Sequence, residues 1–272
     1  MSQAKLTDRP ALLRQRARAL RAPVTFLHEL AAEEIEDRLR MVNRSFTAPA
    51  LITGFPDFWR ARHPDATVVA DDETLTLRPG AHDLVIHALC LHWADDPVGQ
   101  LVQARRALCP DGLMLAVLFG GSSLQELRAA LAQAEADVTG GLSPRVLPMG
   151  DIRDLGALLQ RAGFALPVAD RLPLDLRYAD ALALMRELRA MGETNAMDAR
   201  PRGALRRDVL ARACDIYARD FAHPEGGVRV SAEMVFLTGW APDPSQPQPL
   251  RPGSAAARLA DALETRENPL ED

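Results

Sequence analysis

The chain has 272 residues and a mass of 29.7 kDa, long enough to bury a sizeable core in one large domain or one domain with additions. With 47% hydrophobic residues, a net charge of -5 and a pI near 5.7, it lacks the global basic field expected when nucleic acid is the main partner. No run approaches the ~20 apolar residues of a membrane helix, the N-terminus has no apolar secretory core, and the dispersed Cys90, Cys109 and Cys214 read as reduced packing residues of a cytoplasmic protein.

In chain order, residues 9–22 predict an arginine-rich helix, "DRPALLRQRARALR", read as a solvated face or a basic arm. Residues 27–43 predict a second helix, from the helical spacing of Phe26, Leu27, Leu30, Ile35, Leu39 and Val42, ending at Asn43. A strand is expected over 48–53, then a short helix "PDFWRARHP" with proline at its start. "ATVVAD", 66–71, is a β-branched strand ending in acids. "HDLVIHALCLHW", 82–93, is nearly continuous in apolar residues, as a central parallel strand covered on both faces would be. A helix closed by a Pro-Asp-Gly turn follows, then a buried strand over 113–121. Strands alternating with helices predict an α/β fold built on a parallel sheet. Beyond Gly121 come a helix capped by serine, "DIRDLGALLQRAGF", a strand in "VADRLPLDLRY", two more helices and a long strand at 228–242. A proline-rich segment and a short terminal helix, "AARLADALE", end the chain.

The strand 82–93, its helix and turn, and the strand 113–119 resemble the fourth and fifth strands of class I S-adenosylmethionine-dependent methyltransferases. "LHWADDP", "FGGSSLQELRAAL", "GGLSPRVLPMGDIRDLGALLQRAGF", "LMRELRAMGETNA", "FLTGWAP" and "LRPGSAAARL" narrow the resemblance to the methyltransferase-like assembly factors of respiratory complex I, a group of arginine-hydroxylase type. It covers residues 5 to about 263. It implies a Rossmann-like parallel sheet of class I methyltransferase type, shortened in its first half, with additional helices.

The shortening is the departure from that family. Its members carry a glycine-rich loop, a helix, a second strand ending in an acid and another helix after the first strand. Here "ALITGFPDFWRARHPDATVVADDE" runs almost directly to the acidic segment, and Gly54 is the single glycine between Ser45 and Glu73. Glycines admit a ligand close to backbone N–H groups, and the missing acid would have gripped ribose hydroxyls. Charge-assisted bonds of about 1.5–3 kcal/mol each are lost, or about 2–4 orders of magnitude in affinity for two of them. The resemblance therefore implies weak S-adenosylmethionine binding at best.

What remains of a cofactor site is Gly54, Asp71 or Asp72 for an adenine amino group, and His87 and Ala88 at the methionine end. His92 and Trp93, in the family's "LHW", are the catalytic candidates, against the alternative of a satisfied interior histidine beside a packed indole. Arg145, Glu193 and Asn195 sit at loop positions suited to substrate or partner recognition, or to helix capping. His82, His87 and His92 recur every five residues, which on a strand alternates faces, so no metal site is expected. Neither a G-x-S-x-G elbow nor a lysine-bearing phosphate loop is present.

The expected organisation is an N-terminal helical segment (1–43), a methyltransferase-like domain with helical insertions (44–242), and a Pro-rich arm with a short helix (243–272). The expected function is an assembly or binding role with a complex I subunit or another protein as partner. The alternative is an active S-adenosylmethionine-dependent methyltransferase or hydroxylase-like enzyme.

Overall fold

A computed structural model describes residues 5–247. The terminal helix "AARLADALE" and the "LRPGSAAARL" motif lie outside the described residues. Contacts group Met1–Pro242 into one unit and Asp243–Asp272 into another.

The first unit is built on six strands: β1 (Pro49–Thr53), β2 (Thr67–Val69), β3 (His82–Ala88), β4 (Leu108–Phe119), β5 (Ala165–Tyr178) and β6 (Val228–Trp240). Their order is β2-β1-β3-β4-β6-β5. The first four run parallel. β6 is antiparallel to both β4 and β5. β5 therefore runs parallel to β4, and the Rossmann-like sheet expected is present with one reversed strand, β6, inserted between them.

Period-two alternation sorts the strand residues onto two faces. Ala50, Ile52, Val85, Met114 and Ala116 pack with Leu101 and Ala104 of α4 (Pro97–Ala107) and with Leu155 and Leu159 of α6 (Ile152–Ala162). Leu51, Leu84, Ile86, Leu113 and Leu115 face α2 (Phe26–Val42), through Leu27, Ala31 and Ile35, and Trp59 of α3 (Pro56–Arg62). α1 (Arg9–Ala19) contributes Ala19 to this second layer. A third apolar cluster joins α5 (Gln125–Thr139), α7 (Ala181–Ala190) and α8 (Arg207–Asp220) to Val228 and Val230.

Three local expectations are corrected. The run 82–93 is not one strand: β3 stops at Ala88, Leu89 takes φ 49°, and Leu91–Trp93 form a 3-10 turn. The Pro-Asp-Gly segment lies within β4, with Asp111 at φ 58° and a register shift opposite His82 and Leu84. The serines before α5 do not cap it. Ser122 Oγ donates to Glu233 Oε2 (2.9 Å) and Ser123 Oγ to the Glu233 carbonyl (3.2 Å), satisfying a buried carboxylate, so α5 starts later, after Leu124 in a left-handed conformation.

Entry into β6 depends on Gly227, at φ 78°, where a Cβ would collide with the Tyr178 carbonyl. Gly227→Ala is expected to destabilise the protein by about 2 kcal/mol or more, from left-handed strain plus this backbone clash. A thermal melt should show a loss of about 4–8 °C; an unchanged midpoint would contradict the assignment.

Candidate functional site

Open α/β sheets receive ligands in the crevice outside the carboxyl ends of their strands. In this chain that crevice lies where β1 ends at Thr53–Gly54 and β2 runs out towards Asp71. α1 packs across it and leaves a recess of about 350 Å³ lined by Arg16, Thr53, Gly54 and Asp71. Arg9, Leu12, Arg16 and Ala19 are spaced to share one face of that helix, and Leu12, Arg16 and Ala19 are buried. Arg16 Nη1 lies 2.9 Å from both carboxylate oxygens of Asp71. Arg9 Nη2 and Nη1 reach the same two oxygens at 2.7 and 3.1 Å, and Arg9 Nη2 also meets Asp72 Oδ1 at 3.1 Å. Asp71 is 3% exposed and Arg16 likewise 3%. Burial alone would raise the Asp71 carboxyl; the Arg16 charge and the Arg9 contacts outweigh it and hold the group well below the usual carboxylate range.

The guanidinium of Arg16 lies against Gly54, where a Cβ would collide with it, and the Arg16 stem lies against Gly192, where a Cβ would come within 3.3 Å of Cγ. The space a glycine leaves for a ligand is taken by this arginine. Arg16 thus lies against the glycine, and both oxygens of the buried acid are bonded to arginine.

His87 and Ala88, expected at the methionine end, are fully buried in the core. Gln100 donates its Nε2 to the carbonyls of Asp71 (3.2 Å) and Asp72 (3.1 Å), and its Oε1 lies 2.8 Å from His87 Nε2. A carbonyl oxygen only accepts, so His87 carries its proton on Nε2, leaving Nδ1 towards Cys90 Sγ at 3.4 Å. Burial pushes His87 down to about 4. The three histidines serve three separate places: His82 Nδ1 lies 3.1 Å from the Ala48 carbonyl, His87 meets Gln100, and His92 meets Glu193. Among the described residues, no group of three His, Cys, Asp or Glu side chains is placed to hold a metal ion.

The remaining expected residues gather at a second place. After α7, Gly192 at φ 76° turns the chain, and Glu193 N donates to the Leu188 carbonyl at 2.9 Å. Glu193 Oε2 then accepts from Trp93 Nε1 at 2.8 Å and lies 3.2 Å from His92 Nε2. Burial would raise this carboxyl, but the His92 and Arg16 charges and the two hydrogen bonds bring it below its ordinary value. Trp93, Arg145, Glu193 and Asn195 all line one cavity of about 310 Å³. Arg145 Nη2 is paired with Glu135 Oε1 at 2.6 Å, and Asn195 Nδ2 donates to the Pro144 carbonyl at 2.8 Å, so both brace the loop 143–147 against the cavity. The N-terminus is tied to the same region: Thr7 Oγ1 donates to the Trp93 carbonyl, and Asp95 Oδ1 accepts from Leu6 N and Thr7 N, all at 2.8 Å.

Sequence reasoning missed Arg9 and Arg16, which it placed on a solvated helix face. The available signal was their seven-residue separation, which sets both on the stripe carrying Leu12 and Ala19.

Comparison with known proteins agrees with this architecture. A family described as a methyltransferase domain matches residues 33–116, from within α2 to Ala116 of β4. The chain is 36% identical over 198 residues to the Danio rerio protein named arginine-hydroxylase NDUFAF5, mitochondrial, covering 73% of this chain and 61% of that protein. The Homo sapiens protein of the same name is 35% identical over the same share of this chain and 57% of its own length. A malonyl-[acyl-carrier protein] O-methyltransferase of Xylella fastidiosa is 35% identical over 66% of this chain and 59% of that enzyme. The chain thus spans about three fifths of the length of these relatives. The cytoplasmic placement expected from the cysteines is corrected by the first two, which are mitochondrial proteins; unpaired thiols mark a reducing environment without saying which one.

Proposed function

Because this chain belongs to the class I methyltransferase-like family, we propose that it is a methyltransferase-fold binding module that assists assembly of respiratory complex I and has lost productive S-adenosylmethionine binding. The observation that carries the reading is the seat of Arg16 against Gly54, ion-paired with a buried Asp71. A ligand entering that crevice has to expel a guanidinium from a buried carboxylate, a change that costs several kcal/mol before any contact is gained. The likeness to the NDUFAF5 proteins supports a protein partner in complex I, and among the described residues no helix is long and apolar enough to cross a membrane. In this reading helix α1 of the N-terminal segment serves residues 44–242 as a built-in plug.

The test is a titration of the purified protein with S-adenosylmethionine, by calorimetry and by thermal melting. No heat of binding and no stabilisation up to about 1 mM are expected. A micromolar dissociation constant would raise the melting midpoint clearly at that concentration, by roughly 3–4 kcal/mol of linkage, and would overturn the reading. The hydrogen-bonded cluster of His92, Trp93 and Glu193 beside a cavity favours a second reading, an enzyme of methyltransferase or hydroxylase type. The same titration separates the two, since the methyltransferase form of that reading needs the cofactor to bind.

A further inference from the structure

We propose that the cavity beside Glu193 binds an unbranched alkyl chain whose polar end donates a hydrogen bond to that carboxylate and carries no negative charge. The inference stands whether or not S-adenosylmethionine binds. The cavity measures about 310 Å³ and lies between helices of the third apolar cluster and the sheet. Half of its lining residues are leucine or methionine, among them Leu127 and Leu131 of α5 and Leu184 and Met185 of α7. A concave, predominantly apolar surface of this size with a few polar groups at one side suits an apolar guest that carries one polar end. Unbranched, pliable linings of this kind follow a flexible chain better than a rigid ring system.

Glu193 sets the preference for the polar end. Both neighbouring donors, His92 Nε2 and Trp93 Nε1, converge on Oε2. Oε1 accepts no hydrogen bond among the described residues, and Glu193 lines the cavity. An anionic group beside it would be repelled, whereas an ammonium or hydroxyl would complete the carboxylate's set. Of the arginines on the cavity wall, Arg145 is already held by Glu135, and Arg189 is exposed.

The test uses the full chain and three probes of equal length, decylamine, decan-1-ol and decanoate, each below its micelle concentration. Calorimetry and thermal melting are expected to show one molecule of decylamine or decanol bound per chain, with dissociation constants in the micromolar range set by the shared chain. Decanoate should bind at least about tenfold more weakly. Met185→Trp, which fills the cavity, should abolish binding of all three. Glu193→Gln should narrow the gap between decanoate and the other two probes while leaving the alcohol within about threefold. Circular dichroism checks that both variants are folded, and the head-group order in the unaltered chain decides the matter if either is not. No binding of any probe, decanoate as the tightest ligand, or full binding to folded Met185→Trp would each overturn the proposal.

Discussion

Replacing Arg16 with alanine is expected to be the most damaging single substitution at either site, lowering stability by about 3–5 kcal/mol. The guanidinium is 4% exposed as a side chain and its partner Asp71 is 2% exposed, so the ion pair is screened from water on all sides. Its removal leaves a buried carboxylate facing Arg9 alone and a void between Gly54 and Gly192. Denaturant unfolding should show the loss as a lower midpoint at unchanged slope. The neutral pair Arg16→Met with Asp71→Asn should recover most of it, because removing both charges costs far less than stranding one. If Arg16→Ala lost less than about 1 kcal/mol, the crevice would not be closed in the way described.

The second large effect is a fall in stability between about pH 6.5 and pH 4. Two buried histidines are pushed down to about 4 chiefly by burial: His28, 6% exposed, and His87, 0% exposed. His28 Nδ1 accepts from Trp59 Nε1 at 3.2 Å, a bond that a proton on that nitrogen would break. The sign follows from proton counts. In the unfolded chain both rings titrate near 6.5, so between 6.5 and 4 the unfolded state binds more protons than the folded one, and stability rises with pH. The stabilisation is complete above about pH 6.5 and declines by up to about 1.4 kcal/mol per pH unit for each ring as pH falls. Asp71 and Glu193, both held below their ordinary range, add losses of the same sign at lower pH. Chemical unfolding at pH 7.5, 6 and 5 measures the slope, and His28→Phe should roughly halve it. A flat profile over that interval would contradict the buried, neutral state of both rings.

Much of the fold was legible because period-two apolar runs leave few choices. The strands of the first half, the helix ending at Asn43 and the late strand from Val228 fall where their patterns place them. The break after Ala88 was not legible, since Leu89 and Cys90 are as apolar as the strand before them and the turn is made by one left-handed leucine. The site was half legible. Loop chemistry singled out Arg145, Glu193 and Asn195, the family's LHW motif singled out Trp93, and the chain folds so that all four border one cavity. The arginines of the crevice were not legible: Asp71 and Asp72 were expected to meet an adenine amino group, and a helix 55 to 63 residues away in sequence brings arginines to them. Such a pairing needs three-dimensional proximity, which no local pattern carries. The contact of His87 with Gln100 was hidden for the same reason, the partner lying on a different element.

Helix α1 is anchored by residues up to 192 positions further along the chain. Asp8 N donates to the Ala196 carbonyl, Asp198 N to the Leu6 carbonyl, and Arg200 Nη2 meets Asp8 Oδ2, all at 2.8 Å. Contacts of such long range form last, since a loop of nearly the whole domain has to close around them. On the ribosome, then, helix α1 emerges before its anchors and docks only after residue 200 has left the exit tunnel. Until that moment the groove beside Gly54 and Asp71 stays without its arginines.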